Sequence, residues 1–179
     1  GLYDSDALTG DPTTTATQAT AVGYPAITQG SLTNTNNGNY AITFNDGTLT
    51  INPAQLTVTA NADAKFVTQS DVANFNGVNY TGFVNGDTAT NLTGVLTVTR
   101  TNATENNAGV YTGVLQPAGL SSSNYTITYA NGAMAVTQRP LTVTASNQNA
   151  NYGSSYSLGT SSFTTSGLVN SDAVSSATL

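Results

Sequence analysis

The 179-residue chain contains no cysteine, no histidine and no tryptophan. Without cysteine and histidine there is no Ser-His-Asp or Cys-His nucleophile system, no thiol chemistry and no zinc site of the usual ligand types. Disulfides, common in small extracellular domains, are excluded as well. Their absence argues against a eukaryotic secreted module and fits either a chain exported unfolded to a bacterial surface or a cytosolic one. Charge is scarce: 7% of residues are charged, with a formal net charge of −6. The basic residues, Lys65, Arg100 and Arg139, do not cluster along the chain. Nucleic acid needs a basic face, so no nucleic-acid partner is expected. No apolar run approaches the ~20 residues that a membrane-spanning helix requires, and no signal peptide is visible. Gly1 falls in the middle of a repeat, so the native N-terminus is expected elsewhere.

What the chain does contain is a repeated unit. NYAITFNDGTLTINPAQLTVTA (39–60) returns without a gap as NYTITYANGAMAVTQRPLTVTA (124–145), an offset of 85 residues. In the later copy Tyr125, Ile127 and Tyr129 alternate with threonines, the period of a strand with one buried face. Asn131-Gly132 follows, a strong signal for a tight hairpin turn, and Met134 and Val136 resume the alternation. The earlier copy places Tyr40, Ile42 and Phe44 before Asn45-Asp46-Gly47, then Leu49 and Ile51. Alternation then changes parity, from Leu49 and Ile51 to Leu56, Val58 and Ala60, and from Met134 and Val136 to Leu141 and Val143. A run that changes parity presents opposite faces to two cores. A proline, Pro53 or Pro140, lies at each change and withholds a ladder donor. The reading is a domain junction with almost no linker.

A second landmark, Gly-x-x-x-x-Asp, occurs at Gly1–Asp6, Gly82–Asp87 and Gly167–Asp172. The chain therefore divides into residues 1–53, the C-terminal part of a repeat; 54–138, one complete repeat; and 139–179, the N-terminal part of the next. Within 1–53, Thr13 to Thr20 reads as a polar strand and Thr33 to Gly38 as a loop. Within 54–138, Asn76-Gly77 marks a hairpin or bulged strand between Val72 and Phe83. Asp87 to Leu92 reads as a helical turn capped by Asp87. Residues 95–99 and 110–115 read as strands, with a loop at 102–109 between them.

These residues resemble the MBG repeats of very large bacterial surface proteins, many of them filamentous-haemagglutinin-like adhesins exported by two-partner secretion. The match is carried by LTVTA at Leu56–Ala60 and Leu141–Ala145, by Tyr152-Gly153, by Gly82–Asp87 and Gly167–Asp172, and by Asn124–Tyr129 with Gly132. It covers the whole length, although the central repeat has Lys65-Phe66-Val67 where the next has Tyr152-Gly153. The resemblance implies a mainly β fold: tandem small β-rich domains, β-grasp-like, with at most one short helix per repeat. Ig-like sandwich repeats are the alternative. It implies a structural stalk of a cell-surface adhesin or extracellular filament, with no catalytic residues and no cofactor. The alternative is a module that binds carbohydrate or a matrix protein directly. The expected partners are neighbouring repeats or further copies, end to end, and a host or matrix glycan or protein. The expected place is the bacterial surface or the medium.

Individual residues leave a short set of candidates. Asp63, Asp71, Asp87 and Glu105 are the candidates for a two-carboxylate glycosidase, and nothing in the sequence pairs them. Asp6, Asp87 and Asp172 share one repeat position; they are calcium candidates or, as preferred, helix caps or turn residues. Lys65 has the chemistry to join an asparagine in an internal isopeptide bond. It is the chain's single lysine, and Ala150 takes its place one repeat later; a solvated strand end is preferred. Asn79, Asn91, Asn102 and Asn124 head Asn-x-Thr sequons of the kind that arise by chance in so Asn- and Thr-rich a chain. Tyr40, Tyr125 and Tyr129 are either a sugar platform or, by parity, core residues.

Overall fold

The computed structural model describes residues 1–35 and 38–176. Two residues of the 33–38 loop, and the last three of the 139–179 segment, lie outside that range. The chain is mainly β, and an Ig-like sandwich is not needed to describe it. Among the described residues the strands are β1 (Ala26–Ile27), β2 (Gly47–Thr48), β3 (Ala54–Ala60), β4 (Asp63–Phe66), β5 (Val78–Thr81), β6 (Thr93–Arg100), β7 (Gly109–Ser121), β8 (Tyr125–Ala130), β9 (Gly132–Thr137), β10 (Thr142–Ala145) and β11 (Phe163–Ser166). They belong to two compact units. One comprises Gly1–Ala60, Val78–Thr97 and Pro117–Ala130; the other comprises Asn61–Gly77, Val98–Gln116 and the chain from Asn131 onward. Each unit thus draws on more than one repeat.

The first unit is built on β3, which lies between β5 and β8. β3 pairs with β5 antiparallel, Val58 opposite Tyr80, and with β8 in parallel, Leu56 opposite Ile127. Alternation places Leu56 and Val58 on the inner face, where both are sealed from solvent along with Tyr125. Phe83, Leu92, Leu96, Leu120 and Ile127 pack around them. Burial of each large side chain contributes about 1.5–3 kcal/mol, enough to make this cluster the anchor of the unit. Gly82 holds the landmark turn against the opening strand. Its φ is +115°, and a Cβ there would stand 2.3 Å from the Gln55 carbonyl oxygen. Gly167 repeats the arrangement against Pro140, at φ +105° and 2.3 Å. Only glycine permits that approach and that backbone conformation.

In the second unit β4 pairs in parallel with β9, Lys65 opposite Val136, and β9 pairs antiparallel with β7, Tyr111 opposite Met134. The register shifts between Tyr111 and Leu115, where Gly113 takes a positive φ, the mark of a bulge. Val98, Leu115, Met134 and Val136 are buried. β10 and β11 form a separate antiparallel pair, Val143 opposite Thr165.

Several expectations change. β8 and β9 do not form a hairpin. β8 belongs with β3 and β5, and β9 with β4 and β7. Neither Asn131 nor Gly132 has the positive φ of a tight hairpin turn; the Asn131 side chain instead donates to the Gly113 carbonyl at 3.1 Å. A change of sheet falls between β8 and β9, since each finds a parallel partner in a different sheet. Residues 40–44 are not a strand; among the described residues none supplies them with the neighbour that β3 supplies to β8. Among the described residues Thr13 to Thr20 forms one bridge, Thr13 to Thr28, and is no strand. Asn74 to Gly77 is a turn with positive φ at Asn74, Phe75 and Gly77, leading into β5. The helical turn is a 3-10 turn at Ala89–Asn91, and its N-cap is Thr88, not Asp87. Asn91 Oδ1 accepts from Thr88 N–H at 2.8 Å, closing a capping box that leaves Asp87 free for another role.

Candidate functional site

That role is visible twice. In the central repeat the Tyr125 hydroxyl donates to Asp87 Oδ2 at 2.7 Å and accepts from the Val84 N–H at 3.1 Å. In the first repeat the Tyr40 hydroxyl donates to Asp6 Oδ2 at 2.6 Å and accepts from the Tyr3 N–H at 2.7 Å. In each case the hydroxyl closes the landmark turn, which the aspartate N–H also bridges: Asp6 to Tyr3, Asp87 to Val84 and Asp172 to Val169. Asp4, Asn85 and Asn170 take the positive φ this turn requires. The acidic position of the landmark is therefore a turn residue clamped by the tyrosine of the closing segment. Among the described residues no group of three or more His, Cys, Asp or Glu comes together as a metal site. The pairing was open to sequence inspection, since tyrosine and aspartate recur together, but it joins residues 38 apart.

Both hydroxyls hold their protons more tightly than a free tyrosine. Burial is the main cause at Tyr125, and the hydrogen bond to Asp6 is the main cause at Tyr40. The folded value lies above the reference of 10.0, so the stabilisation is complete below pH 10 and is lost as pH rises through the folded value. Tyr125→Phe is expected to lower the midpoint of urea unfolding below pH 10 and to remove part of the loss above it. A variant whose alkaline loss matches that of the parent chain would dissociate the clamp from that titration. Tyr129 is part-exposed, and its hydroxyl bonds both backbone groups of Leu120, so the three tyrosines do not make a common platform.

A second constellation, in the other unit, was not anticipated. Lys65 is not a solvated strand end: it is 7% exposed, as is Arg100. β4 presents every second residue inward, and Lys65 is buried on that inner face between two exposed neighbours, Ala64 and Phe66. Its Nζ lies 2.6 Å from Asp71 Oδ1 and donates to Asn106 Oδ1 at 2.9 Å. Arg100 Nη1 meets the same Asp71 oxygen at 3.3 Å. Arg100 also donates to Asn102 Oδ1 at 2.9 Å and to the Glu105 carbonyl at 2.6 Å, and its guanidinium lies 5.7 Å from the Tyr111 ring centroid. Burial, then the charge of Glu105, pushes the Tyr111 hydroxyl up. Two charges of one sign thus share a single carboxylate, and neutral polar oxygens accept their remaining hydrogen bonds, as burial of charge demands. The four acids considered for glycosidase chemistry have separate partners. Asp63 accepts from Ala64 N–H, Asp71 from the two cations, Asp87 from Tyr125, and Glu105 from Asn107 N–H.

Contacts also run between successive repeats. Val22 N–H donates to Asn124 Oδ1 at 3.1 Å, and Asn85 Nδ2 donates to the Gln18 carbonyl at 3.1 Å. Around them a cavity of about 150 Å³ is lined by Thr20, Val22, Ile51 and Ala54 with Val84 and Asp87. At the next junction Arg139 donates to the Val67 carbonyl at 3.2 Å and lies 5.7 Å from the Phe66 ring centroid.

A family model described as MBG domain (YGX type) matches residues 1–50 and 56–135. Neither the curated proteins nor the solved structures contain a match to the chain.

Proposed function

Since the chain belongs to the MBG domain family of the YGX type, a repeat domain of surface proteins, we propose that it is a non-catalytic stalk segment of a bacterial surface adhesin or extracellular filament. The observation that carries this reading is the junction between repeats. Only Asn52 and Pro53 separate Ile51, bridged to Gly23, from β3. Two hydrogen bonds join residues of the first repeat to the landmark turn and closing segment of the next. A junction with hydrogen bonds across it and no slack resists bending, which is what a stalk needs. Repeats of this kind stack through nearest-neighbour contacts.

The open edges bear on partners. β3 has neighbours on both sides, whereas β10, its equivalent one repeat on, pairs with β11 alone among the described residues. Leu141 and Val143 are 46% and 45% exposed. The reading assigns that edge to the closing segment of a following repeat or of a second copy, in the register of β3 with β8. Such an assembly is heterologous and propagates as a filament. Electron microscopy of a recombinant array of several repeats is expected to show an unbranched, beaded rod. A freely jointed string would overturn the proposal. A second reading, direct glycan binding, draws on the exposed rings of Tyr24, Tyr152 and Tyr156. A specific glycan-array signal abolished by changing one of them to alanine would promote it.

A further inference from the structure

We propose that Lys65 and Asn106 are joined by an intramolecular isopeptide bond that the chain forms itself, with Asp71 as the proton carrier. The three groups such a reaction needs meet at one point. An amine, the Lys65 Nζ, lies within hydrogen-bond distance of a carboxamide, Asn106 Oδ1 at 2.9 Å, and of a carboxylate, Asp71 Oδ1 at 2.6 Å. The lysine side chain is 5% exposed, so the amine is held at this place and away from bulk water. Holding reactants in contact replaces an encounter by a unimolecular step, and effective molarities of about 10⁵–10⁸ M are reached by well-oriented pairs.

Asp71 takes a proton from the Lys65 ammonium and frees its lone pair, the activation a lysine nucleophile requires. Nζ attacks Asn106 Cγ, the Nζ–Cγ bond forms and the Cγ–Nδ2 bond breaks. Two protons pass in turn from Nζ through Asp71 to Nδ2. The lysine ammonium and the carboxamide become a secondary amide and an ammonium ion, with no oxidant or reductant involved. The leaving group departs into an open cleft of about 320 Å³ lined by Lys65, Thr68, Gln69, Ser70, Ala103 and Asn106, with Asp71 at its wall. The hydrogen bond presents Oδ1 to the amine; a turn of the carboxamide brings Cγ forward. Little opposes that turn, because Asn106 is exposed on the loop between β6 and β7 and, among the described residues, its Nδ2 makes a single 3.4 Å contact, with the Thr104 carbonyl.

The bond would tie β4 to that loop across 41 residues. A cross-link of this span limits the unfolded chain as a disulfide does, in a sequence with no cysteine. The repeat one period later carries Ala150, so one such bond is expected in these residues.

Intact-mass spectrometry of the purified chain tests the proposal, followed by peptide mapping with trypsin. The expected result is a mass short of the sequence value by one ammonia, a resistant Lys65–Phe66 bond, and a branched peptide containing Lys65 and Asn106. Asn106→Ala, at an exposed position, is expected to keep the β-sheet circular dichroism, restore the full mass for its sequence and restore cleavage after Lys65. An unchanged wild-type mass would overturn the proposal. So would a loss of ammonia that persists in Asn106→Ala, because that places it at a cyclised asparagine elsewhere.

Discussion

Leu56→Ala is expected to cost about 3 kcal/mol of unfolding free energy, whereas Leu141→Ala, at the same repeat position one period later, is expected to cost under about 1 kcal/mol. The two leucines open identical LTVTA segments. Their surroundings differ. Leu56 is fully buried, on a strand with neighbours on both sides, and packs with Val58 and Tyr125. Leu141 is 46% exposed beside β10, which has one neighbour among the described residues. Removing a buried leucine loses its transfer free energy and leaves a cavity that close-packed neighbours fill only in part. A domain of this class has a total stability of about 5–15 kcal/mol, so the loss at Leu56 is a large share of it. Urea unfolding of both variants checks the contrast. Equal costs would mean that the sequence repeat, rather than the packing around β3, sets the contribution of this position.

The contrast also shows what local sequence conveys here. Period-two alternation in 54–60 and 132–136 identifies the buried face of β3 and β9 correctly, because burial on one face is a property of each strand by itself. The partner of a strand is not local. Asn131-Gly132 carries the turn chemistry of a hairpin, yet β8 and β9 pair with β3 and β4, whose residues lie 71 positions earlier, as Thr57 and Thr128 do. Parallel pairing of that span outweighs a two-residue turn preference. Residues 40–44 make the same point in reverse: they have the alternation of β8 but, among the described residues, no strand beside them, and they stay irregular. The landmark aspartates were identifiable as a repeated position. Their partners, Tyr40 and Tyr125, were also identifiable as one; only the fold joins the two. Lys65, by contrast, had no signal of burial at all. Its alternation with Ala64 and Phe66 is uninformative, and Asp71, Arg100 and Asn106 come from three separate segments.

Asp71→Ala is expected to cost about 3–5 kcal/mol, the range for removing one partner of a buried ion pair. The comparison belongs in an Asn106→Ala background, where no bond to residue 106 can form. The carboxylate faces both cations, whose side chains are 5% and 1% exposed, while its own is 21% exposed. Taking it away leaves two charges of the same sign at close quarters without a counter-charge. Arg100 keeps Asn102 and the Glu105 carbonyl, and it stacks near Tyr111. Lys65 keeps no acceptor of comparable strength, so the larger part of the penalty falls on the lysine. Removing that charge as well should therefore recover stability. Lys65→Met together with Asp71→Ala is expected to be more stable than Asp71→Ala alone, since methionine fills much the same space without a charge to desolvate. A cycle of these variants, read by urea unfolding, separates the two contributions. If the double variant is no more stable than the single one, the carboxylate acts chiefly through Arg100, and the Lys65 ammonium is solvated through the cleft it lines.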